Sequence, residues 1–130
     1  QWLEVLNVNS VAPLMLAQAL QSNLSAKRGT FAVLSSRMGS IEGNDEGSLY
    51  LYRSSKAAVN QVVKSLSIDL KKLGIKVVAL HPGWVQTDMG GANASINTQT
   101  SVNGLRQVLA QISLRDSGRF INYDGTAIAW

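Results

Sequence analysis

Apolar residues recur along the chain in two alternating patterns, one with helical spacing and one as short uninterrupted runs. The helical spacing is clearest from Val59 to Leu73, where apolar side chains fall three and four residues apart and Gly74 follows as a stop signal. The short runs follow turns and are typical of strands that are buried on both faces. The predicted elements are a helix from about Val8 to Ser22, a strand from Thr30 to Leu34, a helix that opens at Tyr52 and has its apolar positions from Val59 to Leu73, a strand from Ile75 to Leu80, a helix from Val102 to Ile112 and a strand from Arg119 to Asn122.

This alternation of helices and strands predicts the α/β class, with a doubly wound parallel sheet. Three strands make a small sheet, and the first predicted element is a helix rather than a strand. Open sheets of this class continue on both sides of the crevice that binds the ligand. We therefore expect residues 1–130 to be the C-terminal part of a larger domain.

Composition excludes several other classes of protein. The 130 residues are 45% hydrophobic with a net charge of +4, which is too apolar for intrinsic disorder. The absence of cysteine and the single histidine argue against disulfides, a thiolate nucleophile and a metal site. No window approaches 18 consecutive apolar residues, so no membrane span is expected. The 12 basic residues are scattered among 8 acidic ones, so nucleic acid is not an expected partner, and the cytoplasm is the default location.

Candidate chemistry centres on Tyr52 and Lys56, which are one helical turn apart and share a helix face. A phenol holds its proton at neutral pH, and a nearby ammonium favours the ionised phenolate, as acid–base catalysis requires. Ser36 ends the strand before them, and Pro82-Gly83 ends the next strand. All of these residues are therefore expected near the carboxyl ends of parallel strands, where such sheets bind ligands.

In this order and spacing, the motifs resemble the C-terminal half of the short-chain dehydrogenase/reductase family. The likeness extends over essentially the whole chain and is strongest to carbonyl-reductase-like and C-factor-like members. The matching pieces are Asn9 in Asn7-Val8-Asn9-Ser10, Ser36 in Val33-Leu34-Ser35-Ser36, Tyr52 and Lys56 followed by Ala57-Ala58, and Pro82-Gly83-Trp84-Val85-Gln86-Thr87.

The resemblance implies an oxidoreductase with a Rossmann-like fold that transfers a hydride between NADP or NAD and a small carbonyl or alcohol substrate. Tyr52 would be the general acid and base, and Lys56 would assist it and bind the nicotinamide ribose. Ser36 would donate a hydrogen bond to the substrate oxygen, and Asn9 would hold a water molecule in a proton relay. The implied cofactor-binding residues are Tyr52, Lys56, Pro82, Gly83, Val85 and Thr87.

Two departures from the family pattern affect these expectations. Ser36 and Tyr52 are 16 positions apart, a few more than is commonest, so the loop between them carries an insertion. The sequence also contains no glycine-rich phosphate turn. We therefore expect residues 1–130 to be the C-terminal half of one Rossmann-like domain without its dinucleotide-binding half. Most of the affinity for the cofactor would then be missing from this chain alone, and the choice between NAD and NADP stays open.

Several residues have a second interpretation that is purely structural. Ser36 and Thr87 could cap turns, and Asn9 could be the N-cap of the first helix. His81 is interpreted as a packed histidine at a strand end rather than a base. The alternative function is a non-catalytic or truncated half-domain that acts as a protein-interaction or signalling module, because an unpaired sheet edge favours association. Homo-oligomers are common in the family, and the sequence leaves the oligomeric state and the substrate open.

Overall fold

The computed structural model describes residues 1–130 and shows a three-stranded parallel sheet between two layers of helices. The sheet has the order β1-β2-β3, and both pairs of neighbouring strands are parallel. The elements are α1 (Trp2–Leu6), a π-helical turn (Asn7–Val11), α2 (Ala12–Ala19), α3 (Gln21–Lys27), β1 (Thr30–Leu34), α4 (Tyr50–Asp69), β2 (Lys76–His81), α5 (Thr98–Gln111) and β3 (Phe120–Asn122), with short 3-10 turns at Arg37–Gly39, Lys71–Leu73 and Leu114–Asp116.

Helices cover both faces of the sheet, which confirms the predicted doubly wound α/β class. On one face, Val59 and Val63 of α4 and Ala17 of α2 pack against inward side chains of all three strands. On the other face, Val108 of α5 packs against β2 and β3. Each crossover between parallel strands therefore runs through a helix, α4 on one side and α5 on the other, as in Rossmann-like folds.

The three strands differ in how completely they are covered. β2 is central, and its residues from Val77 to Leu80 are all buried. β1 alternates between buried and exposed positions, and Leu34 is 57% exposed, whereas the apolar cluster formed with α5 contains buried residues of β2 and β3. One edge of β1 pairs with β2, and its other edge pairs with no strand of this chain. The sheet is therefore well covered around β2 and open beside β1.

The N-terminal helix differs from the sequence prediction in its bounds. Helical structure begins at Trp2 rather than Val8 and runs through the π-helical turn to Ala19. A second helix, α3, then extends to Lys27, beyond the predicted end at Ser22. The cause is the length of the apolar and helix-compatible segment before Val8, which has no stop signal and which periodicity alone does not delimit.

The other elements agree with the prediction to within a few residues at most boundaries. β1 has the predicted bounds, and β2 is shifted by one residue. α4 begins at Tyr50, so Tyr52 lies in its first turn, and Gly74, with a φ of 72°, follows the 3-10 turn Lys71–Leu73 that comes after α4. A left-handed glycine is a common way to end a helix, because it lacks the Cβ that makes this conformation costly.

No single helix combines the length and the apolarity that a bilayer span requires. Trp2–Ala19 and Gln21–Lys27 satisfy both criteria only when taken together, and they are bent by 60° relative to one another.

Candidate active site

Tyr52 and Lys56 lie one turn apart at the start of α4, beside the carboxyl end of β1. The ammonium Nζ of Lys56 is 5.8 Å from the centroid of the Tyr52 ring and donates a hydrogen bond to the carbonyl oxygen of Leu34 at 3.2 Å. Both side chains are half-buried. Burial lowers the pKa of Lys56 from its ordinary value, because desolvation disfavours the charged ammonium. The Lys56 ammonium therefore lies close to the Tyr52 ring at the carboxyl edge of the sheet.

Asn9 reaches the same turn of α4 from the other side. It lies in the π-helical turn, and its Nδ2 donates to the hydroxyl of Ser55 at 3.0 Å. That hydroxyl donates in turn to the backbone oxygen of Tyr52 at 2.9 Å. Ser10 donates to the backbone oxygen of Ser55 at 3.1 Å, which ties the π-helical turn to α4. Single π-helical turns inside α-helices are frequently found at functional sites.

The interpretation of Asn9 as a helix N-cap is wrong. Asn9 lies inside the continuous helical segment Trp2–Ala19, seven residues after its first residue, where an N-cap has no function. The structural reason is that the helix begins earlier than the periodicity predicted. Its side chain is therefore free to bond to Ser55 rather than to the amides of a first turn.

Ser36 follows β1 in extended conformation and is buried. Its Oγ accepts a hydrogen bond from the backbone N–H of Met38 at 3.2 Å and so caps the 3-10 turn Arg37–Gly39. The cap interpretation is thus confirmed, and it leaves the hydroxyl proton with no acceptor in the chain. A hydroxyl whose oxygen accepts from an amide is held in place and can still donate.

His81 connects the ends of β1 and β2. Its Nδ1 accepts a hydrogen bond from the backbone N–H of Arg37 at 3.2 Å. Burial, and then the positive charge of Arg37, lower the pKa of His81 to about 4, so the ring is neutral near pH 7. The interpretation as a packed histidine at a strand end is confirmed, and the neutral ring holds the turn that contains Ser36 against the end of β2.

Pro82 and Gly83 form a tight turn that α5 supports. The hydroxyl of Ser101, near the start of α5, donates to the carbonyl oxygen of Pro82 at 2.6 Å. Gly83 has a φ of 87°, and a Cβ there would lie 2.6 Å from Cδ1 of Ile96. Only glycine fits such a position without displacing its neighbours. α5 itself begins at the N-cap Asn97, whose side chain accepts from a backbone N–H in the first turn.

Val85 and Thr87 lie on the loop that follows this turn. The Thr87 hydroxyl accepts from the N–H of Gly90 at 3.2 Å and donates to the carbonyl oxygen of Val85 at 3.4 Å, which confirms its interpretation as a turn cap. The N–H of Val85 has no hydrogen-bond acceptor within the chain. The structure does not join either residue by hydrogen bonds to the group around Tyr52.

Sequence reasoning missed Asn60 on α4. Its Oδ1 accepts from the hydroxyl of Ser35 at 2.6 Å, and its Nδ2 donates to the carbonyl oxygen of Gly39 at 3.3 Å. The available signal was an amide side chain between Val59 and Val63, on the apolar face of the helix. A polar residue at such a position requires partners, because a buried polar group without a hydrogen bond is costly.

Comparison with known proteins places this arrangement in a family. The family model described as short chain dehydrogenase matches residues 1–95. The C-signal protein of Myxococcus xanthus is 43% identical over 126 residues, which cover 95% of this chain and 75% of that protein. A 1-hydroxy-2-glutathionyl-2-methyl-3-butene dehydrogenase of Rhodococcus is 36% identical over 131 residues, covering 96% of this chain and 57% of the relative.

Solved structures show the same similarity in three dimensions. The carbonyl reductase Sniffer of D. melanogaster superposes with a TM-score of 0.95 at 41% identity, covering 98% of this chain and 56% of that one. The NADPH-bound carbonyl reductase from chicken fatty liver gives a TM-score of 0.91 at 36% identity, covering 99% and 57%. The chain thus spans little more than half the length of these structures. With the family model matching most of its length, the chain belongs to the short-chain dehydrogenase family.

Proposed function

We propose that the full-length protein containing this chain is an NADP- or NAD-dependent oxidoreductase that interconverts a small carbonyl compound and its alcohol, with Tyr52 as general acid and base. The observation that carries the proposal is the position of the Lys56 ammonium, 5.8 Å from the Tyr52 ring centroid at the carboxyl end of β1. The similarity to carbonyl reductases, one of them bound to NADPH, supports it.

Three side chains have direct roles in this reaction. Tyr52 donates its proton to the carbonyl oxygen of the substrate during reduction and removes it during oxidation. Lys56 stabilises the phenolate that remains, because the two groups are close and partly shielded from water. Ser36 donates a hydrogen bond from its hydroxyl to the same substrate oxygen and stabilises the negative charge that develops there.

Asn9 provides the route by which the tyrosine regains a proton. Its Nδ2 is bonded to Ser55, whereas its Oδ1 accepts no hydrogen bond from the chain. We assign to this Oδ1 a water molecule that connects Lys56 to solvent. The hydrogen bonds from the π-helical turn to α4 keep Asn9 beside the turn that carries both Tyr52 and Lys56.

We assign the nicotinamide end of the cofactor to the loop after β2. Gly83 lets the backbone turn where a side chain would collide with Ile96, and the N–H of Val85 is free to bind a carboxamide oxygen. On this proposal the hydroxyl of Thr87 also contacts the cofactor, and the ammonium of Lys56 binds its ribose. When bound, the cofactor supplies or accepts the hydride. This chain's residues position it and handle the proton.

We also propose that residues 1–130 form the C-terminal half of a single Rossmann-like domain. The free edge of β1 and the exposed Leu34 support this, because both are sites where a larger sheet would continue. The coverage of only 56–57% of the solved carbonyl reductases supports it as well. On this proposal the 130-residue chain alone binds the cofactor weakly. A cytoplasmic location stays a prediction, as do the absence of membrane or nucleic-acid partners and any homo-oligomer.

The decisive experiment replaces Tyr52 by phenylalanine in the full-length protein. We expect Tyr52→Phe to lower kcat for NADPH-dependent ketone or aldehyde reduction by about 100-fold or more, the usual size of an acid–base contribution. The dissociation constant for NADPH, measured by fluorescence, should stay within about twofold. Tyr50→Phe is the matched control, since Tyr50 lies on the same helix and is 78% exposed. A Tyr52→Phe protein with most of its rate would mean that another group supplies the proton.

A second candidate is an interaction or signalling module without catalysis. The observation that favours it is the open side of the sheet, where the edge of β1 and Leu34 are unprotected. Titration of the full-length protein with NADPH separates the two functions. A protein that is folded by circular dichroism and shows no fluorescence change with NADPH would support the module. Binding with micromolar affinity would favour the reductase.

A further inference from the structure

A single side chain of α4 holds the turn around Ser36 from both sides. Asn60 accepts from the hydroxyl of Ser35 at 2.6 Å, one residue before Ser36, and donates to the carbonyl oxygen of Gly39 at 3.3 Å, three residues after it. Ser35 and Asn60 are each only 4% exposed. The turn is therefore fixed to α4 by buried hydrogen bonds on either side of the residue that is proposed to meet the substrate.

The same turn is pressed directly against the backbone of α4. A Cβ at Gly39 would lie 2.8 Å from the backbone carbon and from Cβ of Lys56, and 3.0 Å from Nδ2 of Asn60. The two separations of 2.8 Å are shorter than real Cβ contacts, so the absence of a side chain at Gly39 is what permits the approach. The contact leaves the turn little freedom to slide along the helix.

The amide group of Asn60 is chemically suited to this position. It offers one acceptor and one donor at the same time, and here each is used by a different partner. An aspartate would keep the acceptor for Ser35 but place a second oxygen against the carbonyl of Gly39. A leucine of similar size would satisfy neither partner. The turn therefore requires an amide side chain at Asn60, because a side chain that is merely polar does not satisfy both partners.

We infer that Asn60 is a positioning residue for the Ser36 hydroxyl: it sets the distance between that hydroxyl and Tyr52. Asn60 lies four residues after Lys56 and eight after Tyr52, so all three project from one stretch of α4. The helix that carries Tyr52 and Lys56 therefore also fixes the position of Ser36, the second hydrogen-bond donor to the substrate. This inference rests on the proposed function, because the distance matters only when one substrate oxygen meets both hydroxyls.

The test uses the full-length protein and compares Asn60→Leu with Gln61→Leu. Gln61 is the next residue on α4 and is exposed, so it is a matched control for the substitution. We expect Asn60→Leu to lower kcat at least tenfold, since a displacement of about 1 Å can cost about 100-fold. The KM for NADPH should stay within about twofold, and Gln61→Leu should keep the wild-type kcat. An Asn60→Leu protein with wild-type kcat would overturn the inference.

A double-mutant cycle distinguishes positioning from a general structural effect. If Asn60 acts through Ser36, its loss should matter little once the Ser36 hydroxyl is gone. We expect Ser36→Ala/Asn60→Leu to have a kcat within about twofold of Ser36→Ala alone, because residues that act as a unit are not additive. Losses that multiply would overturn the inference.

A milder variant covers the case in which Asn60→Leu does not fold. Ser35→Ala removes one of the two hydrogen bonds and leaves the bond to Gly39 in place. We expect kcat to fall about threefold or more, again with no further loss in the Ser36→Ala background. Additive losses, or an unchanged kcat, would contradict the inference. Failure of the proposed function is recognised separately, because Tyr52→Phe would then keep its rate or the wild-type protein would reduce no carbonyl compound.

Discussion

The turn after β1 and the loop after β2 leave the same edge of the sheet but are held in different ways. The turn is bonded to three distant parts of the chain: Asn60 of α4, His81 at the end of β2, and Trp130. The carbonyl oxygen of Trp130 accepts hydrogen bonds from the N–H groups of Ile41 and Glu42 at 3.0 and 3.1 Å. The turn is therefore anchored by contacts between residues far apart in sequence.

The loop after β2 is bonded mainly to itself. The indole N–H of Trp84 donates to the carbonyl oxygen of Gly90, and the backbone of Gln86 pairs with Ile96. The hydroxyl of Thr87 binds within the same loop. Such local, exposed contacts give low resistance to local opening. The chain therefore holds the Ser36 hydroxyl, the proposed hydrogen-bond donor to the substrate, in a well-packed turn. The proposed cofactor loop has fewer contacts with the rest of the chain and is freer to move.

The largest expected effect comes from removing the aromatic anchor of the turn. The ring of Trp130 stacks on Phe120, with 5.5 Å between ring centroids. Because the ring is only partly buried, we expect Trp130→Ala to lower the free energy of unfolding of the full-length protein by about 2–3 kcal/mol, below the range for fully buried aromatics. Trp130→Phe should restore most of the loss. Urea unfolding monitored by circular dichroism measures it.

The matched variant in the loop is Trp84→Ala. Trp84 is 55% exposed, and its side chain makes one local hydrogen bond. Its replacement should cost less than about 1 kcal/mol. Equal losses at Trp84 and Trp130 would contradict the contrast between the turn and the loop.

Crowding at Gly39 should produce the next largest effect. A Cβ added there meets the backbone of Lys56 at 2.8 Å, so Gly39→Ala must displace the turn or the helix. We expect a loss of about 1–2 kcal/mol in the free energy of unfolding, as is usual for overpacking. Gly91→Ala is the comparison in the loop, where a φ of 78° but no close atom gives backbone strain of about 1 kcal/mol. A Gly39→Ala protein that is more stable than Gly91→Ala would contradict the expected crowding at Gly39.

Acid should weaken the turn through His81. Its folded pKa of about 4 lies below the ordinary value near 6.5, so the unfolded chain takes up the proton more readily. The stabilising contribution is complete above pH 6.5 and is lost as the pH falls towards 4. We expect about 1 kcal/mol, after allowing for solvent screening of a half-buried group.

The measurement is the free energy of unfolding between pH 7 and 4 for the wild-type protein and for His81→Asn. Asparagine can accept from Arg37 but does not titrate, so the variant should show a shallower pH dependence. Parallel curves for the two proteins would show that His81 does not titrate in this range.

The smallest expected effect belongs to Thr87. Its hydroxyl caps Gly90 in an exposed loop, so Thr87→Ala should lower the free energy of unfolding by only about 0.5 kcal/mol. The proposed contact with the cofactor should still raise the NADPH dissociation constant by about threefold or more. Thr87→Ser keeps the hydroxyl and is the control. Unchanged NADPH binding in Thr87→Ala would remove Thr87 from the proposed cofactor site.

Local signals in the sequence were sufficient for much of the fold. β1 has the predicted bounds because Gly29 and Ser35 frame one apolar run, and helical structure after α4 ends at Gly74, where the 3-10 turn Lys71–Leu73 gives way to a left-handed residue. Tyr52 and Lys56 could be placed on one helix face because their spacing is one turn. Periodicity did not locate the start of the first helix, since residues on either side of Val8 are equally compatible with a helix.

The anchors of the site could not be predicted in the same way. The hydrogen bond between Ser35 and Asn60 joins residues 25 positions apart, and that between Ser40 and Trp130 joins residues 90 apart. Such pairs are set by how the layers pack, which a single sequence does not encode locally. The signal at Asn60 was an amide side chain on an otherwise apolar helix face. It indicates that the amide has a hydrogen-bond partner, but it does not identify that partner.

The π-helical turn at Asn7–Val11 makes the position of Asn9 sensitive to the number of residues in this segment. A turn of this kind contains one residue more than a regular α-helical turn. Deleting a single residue from Asn7–Val11 would let the helix close into uninterrupted α-geometry with Trp2–Leu6 on nearly its present face, but it would remove the widened turn that carries Asn9. Redesign of this segment should therefore conserve the residue count first and residue identity second.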